Sequence, residues 1–199
     1  MKAIIITICF FSISLFTFSQ GDFNKQIATA KSSYSAGKLE DAHFALQQAL
    51  QELDIIIGKE VLKIMPMKLD TLNVNIREDH VTANSGFIGT TIHRTYGAKG
   101  KASVEIISNS PMISSLNAFL NMPMLGGMMR DEKTKVVKVQ GYKSRLEKQN
   151  ENADGKPSYN LQISFNSALM TFNTIGMNED EVLRLVNTFP LQDIAKLIQ

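Results

Sequence analysis

The stretch "ASVEIISNSPMISSLNAFLN", Ala102 to Asn121, decides the fold, because the hydrophobic period changes inside it. Ala102, Val104 and Ile106 alternate with Ser103 and Glu105, the period of two expected of a strand with one buried face. After "NSP" the apolar residues Met112, Ile113, Leu116, Phe119 and Leu120 recur at intervals of three and four, the stripe of an amphipathic helix. Ser110 supplies a hydroxyl suited to the N-cap, and the fixed φ of Pro111 suits the first helical position. A strand feeding a helix whose stripe must be covered predicts helices laid on a sheet.

Outward from this point the strand signal repeats. "LNVNI" and "FIGTTIHRTY" lie upstream, and "KVVKV", "NLQISF" and "LMTFNTI" lie downstream, all short and rich in β-branched and aromatic residues. Turn-forming clusters separate them: "ANSG" before Phe87, "GAKGK" after Tyr96 and "NADGKP" before Ser158. Short turns imply antiparallel pairing. Near the end "MNEDEVLRLVN" places Asn178 and Glu181 at capping-box spacing, with Val182, Leu185 and Val186 needing a surface to cover. "FPLQDIAKLIQ" adds a short helix expected to face Leu191, Ile194 and Leu197 inward. The expectation is α+β: an antiparallel sheet of about six or seven strands over residues 67–199, with one inserted helix and one or two C-terminal helices.

Residues 20–66 read differently. Phe23, Ile27, Ala30 and Tyr34 share one helical face, and Leu39, Ala42, Leu46, Ala49, Leu50 and Leu53 share another. "SAGK" breaks the run at Gly37 and Pro66 ends it, so a helical hairpin is predicted, packed with the sheet into one compact domain. Within it "SSYSAGKLEDAHFALQQAL", Ser32 to Leu50, resembles part of a tetratricopeptide repeat. No second copy follows at the spacing of about 34 residues that such a solenoid requires.

The whole order is a hairpin ending at a proline, antiparallel strands, "NSPM" opening a helix, "NMP" closing it and a short C-terminal helix pair. It resembles a group of small exported bacterial proteins with no assigned activity. Where such chains often carry Leu-Pro and a nearby Gly-Trp, this one has Met65-Pro66 and no tryptophan. The resemblance implies a fold and a compartment, and no chemistry.

The compartment is also read directly. Met1-Lys2, the apolar run from Ala3 to Phe18 and then "SQGD" have the layout of a secretory signal peptide over residues 1–19, with cleavage expected after Ser19. The run is short for a membrane span, which takes about 20 apolar residues. Cleavage would leave a periplasmic or secreted chain without an integral span, and it would remove Cys9, the only cysteine. Such a chain is held together by its core instead of by disulfides. Loss of Lys2 leaves 20 basic residues against 19 acidic ones, a balance with no electrostatic footprint for nucleic acid.

Motifs of chemistry are few. After Cys9 there is no thiol nucleophile, and no Gly-x-Ser-x-Gly elbow. "GAKGKAS" has Thr95 where a phosphate loop needs its first glycine, and it joins two strands. His43, His80 and His93 are far apart in sequence, with no partner at metal-ligand spacing; His43 is expected to face solvent and His93 to sit half-buried on a strand. The acidic pairs stand at helix starts or turns, where the helix dipole accounts for several of them.

The anomaly is "NMPMLGGMMR", Asn121 to Arg130, which holds four of the ten methionines. Thioethers are soft ligands suited to Cu(I), but no His or Cys lies nearby. Methionine also fills gaps in cores and lines adaptable binding surfaces. Met122, Met124, Met128 and Met129 are therefore the candidate contact residues, for an apolar ligand, a lipid or an envelope protein. The sequence reading is an exported binding or interaction module of the periplasm or cell envelope, burying an apolar partner against this loop and the sheet face, without a cofactor and more naturally non-enzymatic. Two alternatives stay open: an enzyme whose site assembles from scattered polar residues, and a Cu(I) carrier using the four methionines. Ligand and oligomeric state are not legible.

Overall fold

A computed structural model describes residues 20–83, 89–121, 133–149, 155–165 and 167–198. Helix α1 (Gln20–Ser35) turns at Gly37, whose φ of 74° is open to glycine without strain, into the long helix α2 (Leu39–Ile64). Two short strands, β1 (Lys68–Leu69) and β2 (Leu72–Asn73), pair with each other, and a 3-10 turn (Ile76–Glu78) leads to the main sheet. That sheet comprises β3 (His80–Ala83), β4 (Thr90–Tyr96), β5 (Ala102–Ser108), β6 (Thr134–Val139), β7 (Tyr142–Gln149), β8 (Ser158–Phe165) and β9 (Ala168–Ile175). Helix α3 (Met112–Asn121) follows β5, and α4 (Glu179–Val186) and α5 (Leu191–Leu197) follow β9.

All pairings are antiparallel, in the order β3-β4-β5-β9-β8-β7-β6. The chain leaves β5 in mid-sheet, resumes at the far edge as β6, and returns strand by strand until β9 lies beside β5. Alternation then sorts the side chains. Ile92, Val104, Ile106, Met170, Phe172, Leu161, Ile163 and Leu146 point to one face and are sealed there by Val61 and Met65 of the α2 end and by residues of α4 and α5. Phe189, in the turn between the last two helices, stacks edge-on against Phe172 and Tyr96 at centroid distances of 5.7 and 6.1 Å. Among the described residues the opposite face receives α3, whose Leu116 and Leu120 meet Leu169.

The α+β expectation holds, down to the caps. Ser110 Oγ accepts from the Met112 N–H, and Asn178 and Glu181 form the reciprocal capping box. Four readings change. "LNVNI" contributes only the two residues of β2 and a bridge from Val74 to Tyr96. Asn75 still donates its backbone N–H to the Thr95 carbonyl, and its side-chain amide donates to Thr95 Oγ1 and to the Gly97 carbonyl, before the 3-10 turn takes the chain away at Ile76. Strand β7, "YKSRLEKQ", was not foreseen: Lys143, Arg145 and Glu147 occupy its open face, and only Ser144 and Leu146 are buried. Strand β3, only "HVTA", was missed for its brevity. Leu197 is exposed and Ile198, just past the helix, is buried in its place. Phe119 is half-buried, with the Arg145 guanidinium 5.3 Å from its ring centroid.

Candidate functional site

Helix α1 packs along α2, and α2 is the helix that reaches the sheet. The contact between the two is made by small residues: Ala30 on α1 and Ala42, Ala45 and Ala49 on α2 are buried. Alanines bring the backbones close, and that proximity leaves no room for the larger apolar side chains between them. Tyr34 is 70% exposed, Leu39 64% and Leu50 62%, and Ile27, Leu46 and Leu53 are exposed as well. At 100° per residue Leu39, Leu46, Leu50 and Leu53 fall within an arc of about 60°. Their intervals of seven, four and three are those of a seam that another helix covers. Ile27 and Tyr34 repeat the interval of seven on α1.

This surface is unlike the usual scatter of single exposed apolar residues, since a run of leucines on one face marks a contact site. Full burial of one such side chain contributes about 1.5 to 3 kcal/mol, so a partner covering several of them gains enough to form a stable complex. Charge gives the surface an orientation. Helix α1 carries Lys25 and Lys31 against Asp22, and the turn adds Lys38, whereas the stretch Leu39 to Asp54 of α2 holds Glu40, Asp41, Glu52 and Asp54 with no lysine or arginine.

A second cluster lies on the open face of the sheet. His80 and His93 are register partners, and their rings stack with centroids 4.7 Å apart and planes 27° from parallel. The same row continues through Glu105, Thr171 and Gln162 to Arg145. This row of the sheet face is thus polar. Burial lowers the His93 pKa from its ordinary value of 6.5, and the neighbouring His80 lowers it further, while Glu105, Glu78 and Asp79 pull it back up. Among the described residues no hydroxyl or thiol is hydrogen-bonded to either imidazole as a nucleophile would be.

Beneath that row Arg94 turns inward and is buried. Its Nε and Nη2 donate to the two carboxylate oxygens of Asp79, at 3.0 and 2.5 Å, and Nη1 donates to the Met65 carbonyl. The Tyr96 hydroxyl donates to the Pro66 carbonyl at 2.9 Å, and burial pushes its pKa up to about 12. Thr95 Oγ1 donates to Glu78. These bonds stitch the end of α2 and the 3-10 turn to β4, which makes the acidic pair Glu78-Asp79 a structural joint.

Met122, Met124, Met128 and Met129 lie in residues 122–132, outside the described residues. His43 is exposed on α2, away from His80 and His93. Among the described residues no group of three or more His, Cys, Asp or Glu side chains is placed to hold a metal ion, and no helix is long and apolar enough to cross a membrane. The leucine seam itself was visible as a helical stripe; its exposure was not, because periodicity does not say what covers a face. No protein-family model, curated protein or solved structure matches the chain.

Proposed function

We propose that this protein is an exported binding module of the cell envelope that docks the helices of a partner protein through the open face of its N-terminal hairpin. The observation that carries the reading is the exposed seam Leu39, Leu46, Leu50 and Leu53, with Ile27 and Tyr34 of α1 exposed as well. Export rests on the basic, apolar and polar order of the first residues. The binding step is burial of apolar surface, and the charges select the orientation. A fitting partner sets acidic residues opposite Lys25, Lys31 and Lys38 and basic residues opposite Glu40, Asp41 and Glu52. The sheet and its buried Arg94–Asp79 joint hold the hairpin in place, and the polar row of the sheet face takes no part. The four methionines of residues 122–132 are a second contact in this reading, for the lipid or protein surface beside the partner.

The test is the mass of the complex recovered from the envelope. The unaltered chain should run as a defined assembly, and Leu46→Gln/Leu50→Gln should run as the free chain with its fold intact. Identical assemblies for both, or a free chain for both, would refute docking through the hairpin. A second copy of this chain in the assembly satisfies the charge rule, since its α1 would meet the acidic α2.

A further inference from the structure

Where α2 comes down on the sheet it leaves a cavity partly open to solvent. Gly58 permits the approach: a Cβ there would stand 2.4 Å from Val81 Cγ1. One residue before it, Ile57 joins Ile92 and Ile106 of the sheet and Ile198 in lining a space of about 220 Å³. The polar residues Ser108, Asn109 and Ser167 line it as well, together with Asp54 and Thr90.

Asp54 and Thr90 stand out against the rest of the molecule. Thr90 is 5% exposed, its backbone N–H is taken by Ser108 Oγ at 2.8 Å, and its hydroxyl has no hydrogen-bond partner. Two other buried polar atoms share that condition, Arg145 Nε and Thr174 Oγ1, but neither residue lines this space. Asp54 has neither an ion pair nor a hydrogen bond to a described residue, and burial raises its pKa. Among the described residues no lysine, arginine or histidine lines the cavity to offset its charge. Contrast Asp79, which is answered by Arg94.

A buried hydroxyl and a desolvated carboxylate call for a donor that carries positive charge, and the isoleucines call for an apolar body. An enclosed cavity of about 150 Å³ lined by apolar side chains takes up benzene, so the apolar part of this space of about 220 Å³ accommodates a body of roughly six carbon atoms. We propose that the space between α2, β4 and β5 is a binding site for a small organic amine, its ammonium group donating to Asp54 and Thr90 and its hydrocarbon lying among Ile57, Ile92 and Ile106. The site adjoins the lower end of the hairpin seam, since Leu53 immediately precedes Asp54, but its ligand is a small molecule and not a helix.

Titration calorimetry on the purified full chain tests this with hexylamine, using hexanol and hexanoate as controls of equal length. Hexylamine should bind at pH 7.5, hexanol at least tenfold more weakly, and hexanoate not at all. Asp54→Asn should weaken hexylamine ten- to a hundred-fold, the range a lost charge-assisted hydrogen bond gives, and Thr90→Val several-fold. In the unaltered chain the affinity should fall on acidification, as the raised Asp54 carboxyl takes up a proton; this arm does not depend on any variant folding. No heat from hexylamine, equal binding of all three probes, or an affinity indifferent to both pH and Asp54→Asn would overturn the proposal.

Discussion

The hairpin and the C-terminal helices carry the same pattern and meet opposite ends. Val182, Leu185 and Val186 of α4 and Leu191 and Ile194 of α5 sit at helical spacing and are fully or almost fully buried. Leu39, Leu46, Leu50 and Leu53 sit at equally good spacing and stay in solvent. The difference lies in what each helix can reach. α4 and α5 follow β9 and lie on the apolar side of the sheet, whereas among the described residues the first half of α2 has α1 alone beside it, and α1 meets it through alanines. A regular apolar face that stays exposed is the ground on which the hairpin is proposed as the working surface.

Breaking the body should cost most. Phe172→Ala removes a fully buried ring that packs on Phe189, and should lower stability by about 3 to 5 kcal/mol in a urea titration. Asp79→Ala leaves Arg94 buried without its counter-charge and should cost a similar or slightly smaller amount, about 3 to 5 kcal/mol, by the same measurement. A loss under about 1 kcal/mol at either position would mean that the body is not the fixed half of the contrast.

The hairpin should behave in the opposite way. Leu46→Gln/Leu50→Gln should leave the urea midpoint of the free chain within about 0.5 kcal/mol of the original while dissolving the assembly. A strong destabilisation would show that the seam is already covered within the chain, and the contrast would vanish.

The smallest effect concerns the stacked histidines. His93 is depressed in the folded state, so the unfolded chain binds the proton first as the pH falls. Stability is then full above the unfolded value of about 6.5 and declines as the pH drops from there towards the lower folded value. His93→Gln should flatten that part of the stability–pH curve, as followed by melting temperature between pH 8 and 5. An unchanged slope would remove His93 from the account of acid sensitivity.

Much of the fold was legible because its signals are local. Ser110 before Pro111, Asn178 with Glu181, and the alternation of Ala102, Val104 and Ile106 each report their own backbone. Strand β7 was hidden because an open sheet face tolerates Lys143, Arg145 and Glu147, so its charge looked like a loop. The Asp79–Arg94 joint spans 15 residues and the His80–His93 stack is set by strand register, neither of which a pattern along the chain can show. The cavity at Asp54 was illegible for the same reason, since it needs α2 laid over β4. The methionines drew attention by composition alone, and they fall outside the described residues.

The most direct measurement is site-specific photo-crosslinking in living cells, with the probe at Leu50 on the hairpin seam and, as control, at the equally solvent-facing Lys143 on β7. The hairpin account predicts one discrete adduct from position 50, lost when Leu46→Gln is added, and none from position 143. No adduct at position 50, or the same adducts from both positions, would contradict it.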